Sequence, residues 1–272
     1  MIQKINYAIT RLFDIILYPF SFINEFWGIL FLSILMSFVV LWLYKWISSP
    51  RLIRKAKDRI KANILAIRLY KDSGKIIIIS FFKSLFYTFK YFGLNLLPLL
   101  LIIPILFPAF VQMDIRYGMR PFQPGEEIIV KAKFNPDMQG LNIQLLDDEH
   151  YKPKMKPVFI KALKEANWKL EAQEAGQAQL KIKVDDRVYE KNIWIGKTRA
   201  ALSNKKMKES SWEHFLDPAD KLLPAGELEY ISFKYPAGEI SFAGIKTHWL
   251  VFNIILVLII VLALKNRFGI EF

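Results

Sequence analysis

The sequence predicts a membrane protein of mixed α + β class. It would have three transmembrane helices, an interfacial N-terminal helix, a cytoplasmic helical hairpin and an extracytoplasmic antiparallel β-sandwich. Three observations lead there. Hydrophobic residues make up 53% of the 272-residue chain, against about 45–50% in ordinary soluble domains. The excess lies in three stretches without Asp, Glu, Lys or Arg: residues 26–44, 91–113 and 247–264, of 19, 23 and 18 residues. Each approaches the roughly 20 apolar residues that carry a helix across a bilayer core. Residues 114–246 have ordinary polarity and an alternating pattern, and are long enough to enclose a core of their own. A soluble cytosolic enzyme fits none of these.

Charge sets the orientation. The net charge of +13 is not spread evenly: residues 45–75 hold ten Lys/Arg against Asp58 and Asp72, whereas residues 114–246 hold 22 bases against 20 acids. A basic loop between two spans stays in the cytoplasm. The N-terminus and residues 114–246 then lie outside and the C-terminus inside, in the inner (cytoplasmic) membrane. The large domain lacks the basic patch that DNA binding needs. The chain has no cysteine, so disulfides, thiolate catalysis and Cys-ligated metals are excluded.

The elements follow in order. In residues 1–21, Asn6, Thr10, Arg11 and Asp14 share one helical face, while Ile5, Ile9, Leu12, Phe13, Ile16 and Leu17 cover the rest, up to Pro19. Such a helix lies in the interface plane with its apolar side among acyl chains, or else it lengthens the first span with Pro19 as a kink. Residues 22–47 form transmembrane helix 1. Residues 48–90 form the basic hairpin. Its first helix carries Ile53, Ala56, Ile60, Ile64 and Ile67 at helical spacing beside a polar stripe of Arg54, Lys57, Asp58, Lys61 and Arg68. A turn at Asp72-Ser73-Gly74 leads to a second helix with a polar stripe of Ser80, Lys83, Ser84 and Tyr87. The basic face, with Arg54, Lys57, Lys61, Arg68 and Lys83, suits anionic lipid headgroups or ribosomal RNA. Residues 91–113 form transmembrane helix 2, residues 247–265 transmembrane helix 3, and residues 266–272 a cytoplasmic tail.

The order of interfacial helix, span, basic hairpin and span resembles the membrane core of the YidC/Oxa/Alb insertase superfamily. The matching parts are the external helix at 12–24 with its Tyr18-Pro19-Phe20 break, and Trp27-Gly28 opening a span that runs into Lys45. Residues 55–72 stand where that family has its coiled-coil arm, and residues 97–113, ending Phe-Val-Gln-Met, stand at its second core span. The resemblance covers about residues 5–113. Bacterial members have five core spans, a basic residue within the first of them, and a large domain before the core; this chain has none of the three. The resemblance implies a non-enzymatic protein that assists insertion or assembly of membrane proteins. The alternative is a structural or scaffold subunit of a membrane complex, whose β-sandwich binds an extracytoplasmic partner.

Within the large domain (114–246), residues 126–134, 141–146, 168–172, 179–184, 188–195, 227–235 and 238–242 alternate as short strands. Turns are expected at 135–140 and 185–186, and residues 174–176 join two strands. This spacing suggests an antiparallel β-sandwich. Residues 168–172, Gly176, 180–184 and 193–196 resemble immunoglobulin-like bacterial extracytoplasmic domains, a class with no single activity. Residues 202–225 interrupt the pattern.

Chemistry-bearing motifs are absent: no G-x-G-x-x-G, P-loop, H-E-x-x-H or G-x-S-x-G occurs. His150 follows the acidic run 147–149, best read as a solvated turn. His214 is expected at a surface or interface, and His248 at headgroup level. No catalytic residue, metal site or cofactor is expected. The informative polar residues lie in the spans: Ser33 and Ser37 four apart in the first, Asn95 in the second, Asn253 in the third. They either line a hydrated groove, which would receive membrane-protein clients, or make hydrogen bonds between helices or to partner subunits.

Overall fold

The computed structural model describes residues 2–20, 22–135, 141–197, 200–209, 211–242 and 244–270. The fold is α + β, and its contacts divide into two compact units. One comprises Met1–Gly28 and Ala109–Val251, the other Ile29–Pro108 and Phe252–Phe272. We call them the β unit and the helical unit.

Six α-helices are described: α1 (Ile2–Leu17), α2 (Glu25–Ile47), α3 (Pro50–Leu69), α4 (Gly74–Met113), α5 (Trp212–Leu216) and α6 (Trp249–Leu264). A 3₁₀ turn at Tyr18–Phe20 ends α1, as expected where Pro19 cannot donate a backbone hydrogen bond. Asn24 then caps α2, its Oδ1 accepting the Phe26 amide at 2.9 Å. Thus α1 is a separate element and does not lengthen α2. Pro50 occupies the first turn of α3, where its missing N–H has no helical partner to lose.

One boundary differs from the sequence pattern. Charge at Lys83 and Lys90 divides 48–90 from 91–113, yet the backbone runs through both as the single 40-residue helix α4. Nothing between Thr88 and Leu97 stops a helix, and Gly93 costs only about 1 kcal/mol there. Pro98, Pro104 and Pro108 all lie inside α4, so the carbonyls four residues before each lose their usual donor. Helices α2 and α4 are long and apolar enough to cross a membrane, and α6 is apolar but has 16 residues.

Eleven strands are described. In the larger sheet β1 (Glu127–Phe134) is central, with β5 (Glu165–Ala172) on one side and β9 (Leu228–Ser232) on the other. Strands β3 (Tyr151–Pro153) and β4 (Val158–Ile160) pair with β5, while β8 (Lys205–Met207) pairs with β9. A second sheet joins β2 (Ile143–Leu145), β6 (Gly176–Val184) and β7 (Arg187–Ile195), and β10 (Ile240–Phe242) with β11 (Ile245–Thr247) forms a hairpin. All these strand pairs are antiparallel. Alternation decides what is inside: Ile128, Val130, Ala132 and Phe134 of β1 join Trp168 and Leu170 of β5, Leu180 and Ile182 of β6, and Ile193 of β7 in one core. Two sheets therefore share a single apolar interior.

The expected strands at 126–134, 168–172, 179–184 and 188–195 coincide with β1, β5, β6 and β7. The turn at 185–186 connects β6 to β7, with Asp185 at φ 50°. Most of the turn expected at 135–140 lies outside the described residues.

Candidate functional site

In the helical unit the polar residues meet each other. Asn253 Nδ2 donates to Ser33 Oγ at 2.7 Å, joining α6 to α2. Ser37 Oγ donates to the Ser33 carbonyl at 2.6 Å. All three residues are completely buried, and Asn253 Oδ1 takes no hydrogen bond among the described residues. Tyr44 Oη donates to Asn95 Oδ1 at 3.0 Å, while Asn95 Nδ2 donates to the Tyr91 carbonyl at 2.7 Å. Leu41 and Tyr44 of α2, Ile102 of α4, Val261 of α6 and Ile270 form an apolar cluster in this unit. Of the four polar residues singled out in the sequence, Ser33, Asn95 and Asn253 thus bond between helices, while Ser37 bonds within α2. None of Ser33, Ser37 and Asn253 faces an open channel.

The hairpin of α3 and the first half of α4 is oriented differently from the amphipathic pattern. Arg54, Lys61, Arg68 and Lys83 are exposed, but Lys57 is half-buried, its Nζ 5.5 Å from the centre of the Tyr91 ring. Ser80 is buried, and Ser84 and Tyr87 are half-buried, whereas Phe81, Phe82, Phe86 and Phe89 are exposed. Most of the expected polar stripe of this helix faces inward and its phenylalanines face outward.

In the β unit the polar face of α1 is bonded to protein. Asn6 Nδ2 donates to the His214 carbonyl at 3.1 Å, and Thr10 Oγ1 accepts from Gln112 Nε2 at 3.1 Å. The buried Arg116 guanidinium gathers the Thr10 carbonyl at 3.2 Å, Gln112 Oε1 at 2.6 Å and Asp14 Oδ1 at 2.5 Å. Ile5, Leu12 and Ile15 stand exposed on the other side, Ile15 at 71%. The interfacial pattern is real in its segregation, but the polar side meets the protein. Nearby, Gly118 lets the backbone pass against the Asp114 carboxylate and the Trp249 indole, where Trp249 Nε1 donates to Asp114 Oδ1 at 3.0 Å; any side chain at 118 would displace both.

The densest chemistry in the chain lies beside α1. Lys191, on β7, is fully buried, and its Nζ donates to Asp220 Oδ2 at 2.5 Å, the Ser203 carbonyl at 2.9 Å and Ser203 Oγ at 3.3 Å. The Phe233 ring lies 4.8 Å away. Asp217 accepts the amides of Asn204 and Lys205 at 2.8 and 3.0 Å. Burial raises the Asp217 carboxyl above its ordinary value, with the Lys191 charge opposing. A cavity of about 490 Å³, lined by Asn6, Thr10, Asp14, His214 and Asp220 among others, opens between α1 and the segment carrying Asp220. Among the described residues no three His or acidic side chains converge on a metal position. The arrangement is that of a buried ion pair that fastens residues 203–220 to β7.

His214, expected at a surface or interface, belongs to this region as a buried residue of α5. The short helix packs it under Asn6. Desolvation pushes its imidazole below the ordinary 6.5, with Asp220 opposing. Between the folded value and 6.5 the unfolded chain binds more protons, so stability rises with pH through that window and is lost as pH falls below 6.5. The urea midpoint of the full chain should therefore drop on acidification below 6.5, and His214→Gln should flatten that part of the profile. An identical slope in the variant would remove His214 as its source. His150, in contrast, sits in its acidic turn as expected, Nδ1 2.8 Å from Asp148 Oδ1.

Sequence reasoning missed Lys191, Ser203, Asp217, Asp220 and Arg116. A signal existed for Lys191 alone: on β7 it is in phase with Tyr189, Ile193 and Ile195, so a lysine had to point inward. No family model matches the chain, and no curated protein or solved structure matches it.

Proposed function

We propose that the chain is an integral membrane protein of the cytoplasmic membrane, non-enzymatic and insertase-like, which assists insertion or assembly of other membrane proteins. The membrane reading is supported by an inverted polarity. In the helical unit Ser33, Ser37 and Asn253 are fully buried, while Trp42, Trp46, Leu97, Leu100, Ile254 and Leu258 stand exposed. In water that distribution is unfavourable, and in hydrocarbon it is the expected one. The basic loop supports a cytoplasmic α3–α4 hairpin and an extracytoplasmic domain at residues 114–246.

The observation that carries the insertase-like reading is the unbroken α4. Forty residues of helix extend about 60 Å, roughly twice a bilayer core. The hairpin is then a rigid cytoplasmic arm in line with a span, with basic side chains along α3 to meet anionic headgroups or an arriving client. A second reading, a scaffold subunit, is favoured by the Ser33–Asn253 and Tyr44–Asn95 hydrogen bonds, which join α2 to α6 and α2 to α4.

Photocrosslinking in living cells, with probes at Asn95 and Leu101, separates the two. Many short-lived adducts with nascent membrane proteins, lost when translation stops, are expected of an insertase. A few constant adducts that survive translation arrest would replace that reading with the scaffold.

A further inference from the structure

The two faces of α4 are unequal from Ile78 to Ile103. One face carries Ser80, Tyr87, Tyr91, Asn95 and Ile102, buried or half-buried. It is covered by α3 at Lys57 and by α2 at Tyr44, and Ile102 joins the cluster with Leu41 and Val261. On the opposite face Phe82, Leu85, Phe89, Phe92, Leu96 and Leu99 recur at alternating spacings of three and four, and are 63, 42, 69, 61, 36 and 45% exposed. That is the spacing of a coiled-coil seam, with Phe82, Phe89 and Leu96 at one repeating position and Leu85, Phe92 and Leu99 at the other. Lys83 and Lys90 fall about a third of a turn off the seam, and α4 contains no acidic residue.

We propose that this stripe is the interface of a parallel homodimer, in which α4 of one copy packs against α4 of a second. Lipid covers only part of it. The stripe begins beside Lys75, Lys83 and Lys90, ahead of the uncharged 91–113, so its first half is outside any bilayer core. A second α4, with the same composition and the same change from charged to uncharged, covers both halves at once. Together with Ile78 and Ile103, the six side chains expose on the order of 800 Å², what one partner contributes to a stable interface. With both lysines off the seam, a parallel pair brings no like charges face to face within it. The parallel sense rests on the membrane-spanning part of the reading above, because a bilayer orients both copies alike; it does not depend on insertase activity.

The cysteine-free chain permits a direct test. Single cysteines replace Phe82, Leu85, Phe89, Lys83 or Tyr87 in the full-length protein, and isolated membranes are oxidised. Phe82→Cys, Leu85→Cys and Phe89→Cys should give disulfide-linked dimers about fivefold or more above Lys83→Cys and Tyr87→Cys, since a disulfide needs Cβ atoms near 4 Å. Absence of dimer at the seam, equal dimer at all five positions, or adducts with other proteins in place of the dimer would overturn the proposal. Carbonate extraction of the same membranes is the control for the premise. Release of the chain would withdraw the membrane reading and with it the parallel pairing, whereas retention without dimer would defeat the pairing alone.

Discussion

Asp220→Ala should lower the stability of the full-length protein by about 3–5 kcal/mol, because it leaves a buried ammonium without its counter-charge. Lys191 has no solvent to turn to: its side chain is 0% exposed and that of Asp220 7%. The Ser203 carbonyl and hydroxyl remain as acceptors, yet neither carries a charge. The informative companion is the double variant Lys191→Met/Asp220→Leu. Removing both charges and filling the space should recover most of the loss, since a buried pair seldom outperforms a well-packed apolar replacement. Urea unfolding of the full-length chain reads both variants. If Asp220→Ala changed the midpoint by no more than an exposed substitution does, the pair would not be holding residues 203–220 in place.

Trp168→Ala should be comparably damaging, at about 3–5 kcal/mol, the usual range for truncating a buried tryptophan. Trp168 is 2% exposed in the middle of β5, opposite Val130 of β1, and belongs to the core shared by the two sheets. A cavity there cannot be filled from one sheet alone. Trp212 supplies the contrast: it is 66% exposed on α5 and stacks on Phe215, so Trp212→Ala should change stability by about 0.5 kcal/mol or less. Thermal unfolding followed by far-ultraviolet circular dichroism distinguishes the two. Equal effects would mean that the shared core does not limit the stability of the β unit.

The long alternating strands were legible in the sequence because period two is a local property: Ile128, Val130, Ala132 and Phe134 announce the buried face of β1 without any partner. Strands β3, β4 and β8 were not, since three residues cannot establish a period, and Pro153 and Lys205 are poor strand formers. The division of α4 at residue 90 confused two questions. Charge says where a bilayer could end; it does not say where a helix ends. Among the polar residues, Ser33 and Ser37 could be placed on one face from their spacing, but the meeting of Ser33 with Asn253 joins residues 220 apart. Pattern along a chain cannot reveal that. The same holds for the polar side of α1. Its segregation is visible in Asn6, Thr10 and Asp14, whereas the partner that claims it, Arg116, lies 102 residues beyond Asp14.

The position of β1 governs the order in which the large sheet is completed during synthesis. Strand β5 can join β1 after a short wait, and β6 with β7 close as a local hairpin through Asp185 and Asp186. The other edge of β1 stays open until β9, whose register pairs Lys131 with Ser232, has left the ribosome. Helix α6 begins at Trp249, so the last strand of that sheet and the last apolar helix emerge almost together. An open, strand-forming edge therefore persists through most of translation of this region and is exposed to misplaced pairing. Translation stalled between β5 and β9 would yield a chain that is prone to aggregate, and the nascent polypeptide needs protection longest at that stage.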